Sequence, residues 1–530
     1  MLDRRTFLSA AAVAAFAGWG APARAASNGP RLAEAQPFSF DALVQEARAL
    51  ADKPYTAPQP VASEQVLHAI DYDAWGAVHF NTDKALFADG PGRFPLTFFP
   101  LGRYFRAPVG MYVVTPEGDA LFARALEYDA ADFDIPSDNP MRHLPPDAGF
   151  AGFRLQESRL GNQNERPWRR NDWVAFLGAS YFRAIGALYQ YGASARGVAV
   201  NTSVAGVSEE FPRFSRFYFE TPQDDGPTVT VWALLEGASV TGAYQFVMTR
   251  DRAVRMDIKA RLFLRQDVQR LGLAPLTSMY WFSETEKPTA ADWRPEVHDS
   301  DGLALRTGAG ESIWRPLANP AASRVTAFAD ASPRGFGLCQ RDRDFDHYLD
   351  GVFYNRRPTI WVQPQGDWGR GSVQLVELPT GSEFDDNVVA MWVPEAAARA
   401  GNAYQLDYRL HWVDREPFET PLAQCSATRL GMAPLAETGG RRLRRFAVAF
   451  QGGPLADLPA GVQPEAVISA ARGKIERVMV EAVPDDVPGH WRAFFDWPED
   501  GAGALDLRLY LRLKDEALTE TWLYTYDSRA

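Results

Sequence analysis

Along most of the chain, apolar and polar positions alternate in short runs broken by Gly, Pro, Asn and Asp, the two-residue period of strands with one buried face. Such runs include AVHF at 77–80, PLTFFPL at 95–101, GMYVVTP at 110–116, TVTVWALLEG at 228–237, GAYQFVMT at 242–249 and VRMDIKARLFLR at 254–265. This spacing predicts antiparallel strands in a large sandwich or barrel, an all-β fold class. One stretch keeps the helical period instead. From 40 to 51 it places Phe40, Leu43, Val44, Ala47, Leu50 and Ala51 on one face, with Ser39 as N-cap. The segment DWVAFLGASYFRAIGALYQY at 172–191 holds neither period cleanly and reads as a helix or a buried loop. Flanked by the clusters at 166–171 and 192–197, it is a candidate lining of a binding face.

After the strand-like YQLDYRLHWV at 404–413, a proline-bearing segment interrupts the pattern at 415–421. Beyond it Leu505, Leu507, Leu509, Leu511 and Leu513 alternate with Asp506, Arg508, Tyr510 and Arg512, a strand half buried along its length. About seven such runs in roughly 105 residues match the size of an immunoglobulin-like sandwich. A 530-residue chain exceeds the roughly 250–300 residues one core serves. The expected division is a leader at 1–25, a large β-sandwich domain at 36–414, a linker at 415–424 and a smaller sandwich at 425–530.

The leader begins with paired Arg4 and Arg5 before Phe7 and Leu8, continues as an apolar run to Trp19 and ends in the small residues Ala23 and Ala25. This is the pattern of a cleavable twin-arginine export signal, with the mature chain starting near Ala26 in a bacterial periplasm. The run is shorter than the roughly 20 apolar residues of a spanning helix, so membrane insertion is not expected. A net charge of −12 offers no basic stripe for nucleic acid. Cys339 and Cys425 are the only cysteines, and a chain of this length needs no covalent staple, so no disulfide is predicted.

Aromatic residues reach 12%, with 15 Trp, which suits either a large β core or a carbohydrate platform. The densest mixture lies at 334–392, where Asp342, Asp344, Asp346, Asp350, Asp367, Asp385 and Asp386 alternate with Tyr348, Tyr354, Trp361, Trp368, Trp392, Arg356 and Arg357. Carboxylates and guanidinium groups hydrogen-bond sugar hydroxyls, aromatic faces stack on pyranose rings, and a carboxylic acid can protonate a glycosidic oxygen. Each such residue taken alone fits a solvated loop, and Trp361 fits the core. Other chemistries fail on spacing. GASAR and GASYF lack the last glycine of a nucleophile elbow. No H-E-x-x-H, phosphate loop or dinucleotide fingerprint is present, and Val297 stands where a calcium loop through Asp299 and Asp301 needs an oxygen ligand. Carboxylate acid/base chemistry or binding without chemistry remains.

Several long motifs resemble the periplasmic glucan biosynthesis family OpgG/OpgD, also called MdoG/MdoD. They are GFGLCQRDRDFDHYLD at 335–350, YNRRPTIWVQP at 354–364, WGRGSVQLVELPT at 368–380, DNVVAMW at 386–392, SMYWFSE at 278–284, RPEVHDSDGL at 294–303, YGASARG at 191–197 and ETWLY at 520–524. The twin arginines point to the OpgD branch. The resemblance implies a galactose mutarotase-like β-sandwich followed by an immunoglobulin-like one. It also implies a role in making osmoregulated periplasmic glucans with a β-1,2-linked glucose backbone. Family members resemble anomer-inverting endo-β-1,2-glucanases, and some transfer the chain instead. The family's general acid falls on Asp386, the Asp before Asn387, and its general base on Asp299, with Asp301 as the alternative. The base is thought to act through a chain of hydroxyls. Asp346 and Tyr348 are first candidates for sugar binding or this relay, followed by Tyr354, Arg356 and Trp368.

An inverting pair needs carboxyls about 6.5–9.5 Å apart, one of them protonated. Asp385, Glu383 and Trp392 are candidates for raising the Asp386 pKa. No cofactor or metal is implied. Candidate partners are a β-1,2-glucan, a membrane glucan synthase and a second copy of the chain. The competing reading is a non-catalytic glucan-binding scaffold that assists such a synthase.

Overall fold

A computed structural model describes residues 30–161, 166–287, 292–459, 461–498 and 503–527; the expected export signal lies outside them. Strands dominate and are arranged in several sheets, so the fold is the expected all-β one, built as sandwiches with no closed barrel. The chain forms two compact units.

The first unit runs to Leu276 and takes back Pro364–Asp367 and Met391–Trp412. The predicted helix forms over Phe40–Ala51, with Ser39 Oγ accepting from Ala42 N at 3.0 Å. Leu43 and Ala47 are buried on its apolar stripe against Val114, Trp232 and Leu234. Beneath it, strands Arg213–Glu220, Thr228–Glu236, Val240–Arg250, Val254–Leu264 and Ala403–Val413 pair antiparallel in succession. A second sheet contains Leu96–Pro100, Phe150–Gln156, Asp172–Leu177, Tyr181–Ala184 and Ser194–Arg196. Aromatic rings interlock between the sheets: Phe176 stacks on Phe153 at 4.8 Å and on Phe182 at 4.9 Å, and meets Phe246 edge-on at 5.1 Å. Much of the aromatic excess is therefore core.

The stretch 172–191 is not a helix: it opens as a hairpin of Asp172–Leu177 and Tyr181–Ala184, turned through Gly178 (φ 77°) and Ala179 (φ 44°), and only 185–191 form a loop. Trp173, Val174, Ala175, Phe176 and Leu177 are all buried, so both faces of the strand are apolar and the alternation that announces strands elsewhere is lost.

The second unit comprises Thr277–Gln363, Trp368–Ala390 and Val413–Ala530. One of its sheets orders strands Thr359–Gln365, Gly335–Cys339, Gly302–Arg306, Ser312–Pro316, Thr521–Asp527, Ala504–Leu513 and Glu465–Ala470. A four-stranded sheet of Gln424–Met432, Leu443–Gln451, Trp491–Pro498 and Glu476–Ala482 completes the sandwich. Leu505, Leu507, Leu509 and Leu511 point into the shared core with Trp314, Trp361, Phe446, Phe495 and Trp522, as the alternation predicts. The strands after 424 thus share one core with strands from 302 to 362, and 415–424 lies within this unit. Cys339 and Cys425 are both free and buried. Strands Arg324–Ala331 and Arg370–Glu377 also pair antiparallel in this unit, and the loop 378–387 leaves the Glu377 end of that pair.

Candidate active site

In the second unit, a small strand pair and one asparagine bring the distant carboxylates Asp299 and Asp386 to a common edge. Strand Tyr280–Phe282 pairs with Val297–His298 in the register Tyr280 to His298. Asp299 follows immediately, its N–H donating to Met279 O at 2.8 Å. From the other side Asn387 grips the same strand: its Oδ1 accepts from Tyr280 N at 2.8 Å, and its Nδ2 donates to Tyr280 O and Leu378 O at 2.9 Å each. Thr380, earlier in that loop, is held by Asn319 through both amide atoms. Asp386 is thereby fixed one residue before a two-point clamp on strand Tyr280–Phe282, whose partner strand Val297–His298 leads directly into Asp299. The two residues, Asp386 and Asp299, are 6% and 5% exposed.

A chain of polar contacts leads from Asp299 to Glu383, in the loop that carries Asp386. Arg357 lies 3.5 Å from Asp299 and stacks over the Tyr354 ring at 4.9 Å. The Tyr354 hydroxyl donates to Glu383 at 2.6 Å, and Glu383 takes a forked pair of bonds from Arg294 at 2.8 and 3.1 Å. Burial would push Glu383 up, but Arg294 and Tyr354 outweigh it and leave its pKa below the usual value. Asp385 accepts from the Thr380 hydroxyl at 2.8 Å. Two of the acids expected to act on Asp386 are therefore engaged elsewhere.

Behind Asp299 lies a charged core. The two nitrogens of His298 face Glu296 Oε2 at 2.9 Å and Gln340 Oε1 at 3.0 Å. The Gln340 amide orientation follows from its Nε2, which donates to the His298 and Tyr354 carbonyls and to the Tyr348 hydroxyl. Both ring nitrogens of His298 thus meet acceptors, which requires the doubly protonated imidazolium. Burial opposes that charge, but Glu296 prevails and lifts the pKa to about 9. Tyr280 stacks on the ring at 5.6 Å and Tyr348 meets it edge-on. Burial raises Asp301 to about 6, although its Oδ2 accepts from Arg341 N and Asp342 N at 2.9 and 2.7 Å. Burial and the nearby Glu296 raise Glu284 to about 8.

One pH dependence follows. Folded His298 keeps its proton to about pH 9, whereas the unfolded side chain loses it near 6.5, so the folded state binds more protons in between and stability falls as pH rises. The contribution is complete below 6.5 and gone above about 9. Urea midpoints across this window should decline less steeply for His298→Gln than for the parent; Glu284 acts in the same direction up to about pH 8 and persists in both proteins. Equal slopes would show that His298 is not a buried cation.

The other sequence candidates divide. Tyr348 and Tyr354 are buried members of this network. Asp346 is exposed on the turn Phe345–His347, and Asp342 takes its expected place, bonding His347 Nδ1 at 2.6 Å and receiving the Tyr348 hydroxyl on its carbonyl. Arg356 is exposed over Phe353, while its neighbour Arg357 turns inward. Trp368 precedes the Arg370 end of strand Arg370–Glu377, with its N–H on Ser332 Oγ, about 23 Å along the strand from the loop carrying Asp386. Trp361 is core, packed on Phe418. Glu296, Gln340 and Arg294 went unrecognised because no spacing distinguishes them from surface residues, and Arg357 stood in the dense stretch without being preferred to Arg356. Glu296, Asp342 and His347 bring one potential metal ligand atom each within 4.8 Å of one another, but Glu296 is held by His298 and Asp342 by His347, so the cluster is satisfied by hydrogen bonds.

The motifs that carried the family resemblance thus meet here: HDSDG, SMYWF, RDRDFDHYLD and the DN segment supply the network, and Arg341 ties it to Glu520 of ETWLY. The family model described as "Periplasmic glucan biosynthesis protein, MdoG" matches residues 38–526. Over 530 aligned residues the chain is 56% identical to Glucans biosynthesis protein D 2 of Ralstonia nicotianae, covering 99% of this chain and 98% of that protein. It is 46% identical to Glucans biosynthesis protein D of Stenotrophomonas maltophilia and of Xanthomonas campestris, with the same shares covered. By both measures the chain belongs to the periplasmic glucan biosynthesis protein family, MdoG.

Proposed function

We propose that this protein acts in the periplasm on the β-1,2-linked backbone of osmoregulated glucans, as an anomer-inverting endo-glucanase or transglycosylase with Asp386 as general acid and Asp299 as general base. A role in periplasmic glucan biosynthesis is supported by the family and by the names of its full-length relatives. The observation that carries the catalytic reading is the joint placement of two buried carboxylates in unlike surroundings. Asp299 faces the Arg357 guanidinium, which favours an ionised base. Asp386 is buried beside acids already paired with other groups, where a carboxylic acid can hold a proton for the leaving oxygen. Unlike environments for two carboxyls are what separates an acid from a base at one pH. Asp301 suits the base role less, because two backbone N–H groups occupy one of its oxygens.

The test is incubation of the mature protein with linear β-1,2-glucan, reading product size and the anomer of the new reducing ends. Hydrolysis should give shortened chains whose new reducing ends first appear as the α-anomer, and transfer should give chains joined through a new α-linkage with no new reducing end. Binding without any change in chain length would favour the scaffold reading instead.

A further inference from the structure

Trp293 is 71% exposed, the most exposed large hydrophobic side chain among the described residues, and Phe384 is 51% exposed. Lone exposed apolar residues are common. These two are not separate, because each immediately neighbours one partner of the forked Arg294–Glu383 bridge. Their backbones are pinned as well. Arg294 N donates to Asp292 Oδ1 at 2.8 Å, and Lys287 Nζ donates to Asp292 O at 2.6 Å and also to Arg294 O. Phe384 N donates to Ser382 Oγ at 3.0 Å. Both exposed rings thus project from backbone tied to one bridge, with Phe384 two residues from Asp386.

We propose that Trp293 and Phe384 form a stacking platform for an uncharged pyranose ring, a substrate subsite next to the proposed catalytic carboxylates. The inference rests on the glucan reading above. The charge around the rings suits this occupant: the carboxylates of Asp292, Glu383 and Asp350 are largely balanced by the Arg294 guanidinium and the Lys287 ammonium, leaving little net charge to draw an ionic ligand. The same carboxylates offer acceptors to sugar hydroxyls. Each ring has only two side-chain torsions to lose when a sugar face covers it, so the contribution appears mainly in affinity.

The experiment titrates linear β-1,2-glucan into Asp386→Asn protein, alone and combined with Trp293→Ala, Trp293→Phe or Phe384→Ala, following tryptophan fluorescence and calorimetry. Trp293→Ala and Phe384→Ala should each weaken binding roughly tenfold. Trp293→Phe should keep affinity within about threefold while removing most of the fluorescence change. In the otherwise unaltered protein, Trp293→Ala should raise KM with kcat nearly constant, and its urea midpoint should not move because the side chain is exposed. Glucan turnover with unchanged KM and Kd in both alanine variants overturns the platform and leaves the functional reading standing. A parent that neither binds nor shortens the glucan overturns both.

Discussion

Asp386→Asn is expected to lower glucan shortening by about 10²- to 10⁴-fold without unfolding the protein, the range contributed by a positioned proton donor. The substitution leaves the shape of the loop intact, because that shape is held by Asn387 on Tyr280 and by Asn319 on Thr380, not by the acid. The loss should depend on the leaving group. A glycoside with a strongly acidic aglycone needs little protonation, so it should recover much of the rate in Asp386→Asn. Asp299→Asn should show no such recovery, since water activation is still required whatever departs. A natural-substrate rate in Asp386→Asn within about threefold of the parent would remove Asp386 from the mechanism. Equal recovery in both variants would mean that the roles are not divided as proposed.

What could be read in advance follows the regularity of each element. The helix Phe40–Ala51 was legible to the residue because a side-chain cap and a 3.6-residue stripe mark its start and its buried face. The Leu505–Leu511 alternation was legible because only one face of that strand is buried. Residues 172–191 were not, since a strand apolar on both sides has no alternation to show. At the site, the density of acids and aromatics pointed to the right stretch, but it could not say which neighbour turns inward. Phe353 adopts φ 59° before the turn Tyr354–Arg356, and that left-handed step decides that Arg357 and not Arg356 reaches Asp299. Likewise Asp344 caps the turn Phe345–His347, leaving Asp346 outside while Asp342 lies within. Asp386 and Asp299 were singled out only by family resemblance; their residues alone read as turns. The clamp by Asn387 that ties the Asp386 loop to strand Tyr280–Phe282 is a tertiary contact across 107 residues, which no local pattern encodes.

Arg341→Leu is expected to cost roughly 3–5 kcal/mol of stability, a large share of the 5–15 kcal/mol typical of folded domains. The Arg341 guanidinium pairs with two buried acids at once: it lies 2.7 Å from Glu416 and 2.5 Å from Glu520, and it stacks over Trp314 at 3.8 Å. Burial alone would raise the Glu416 pKa, yet Arg341 outweighs it and holds the carboxyl below its usual value. Removing the cation leaves two carboxylates facing each other out of water. Their penalty should shrink as pH falls and they take up protons, so the deficit in urea midpoint should be largest near pH 7 and clearly smaller near pH 4.5. Adding Glu416→Gln and Glu520→Gln to Arg341→Leu should restore part of the loss, and Arg341→Lys should fall between, keeping the charge but not the fork. A deficit below about 1 kcal/mol, equal at both pH values, would mean that water reaches the cluster. The consequence reaches the active site, because the Arg341 backbone N–H also holds Asp301, two residues from Asp299. The strand after Glu520 and the loop of carboxylates are therefore braced by one residue, and activity in Arg341→Leu should fail at a lower urea concentration than in the parent.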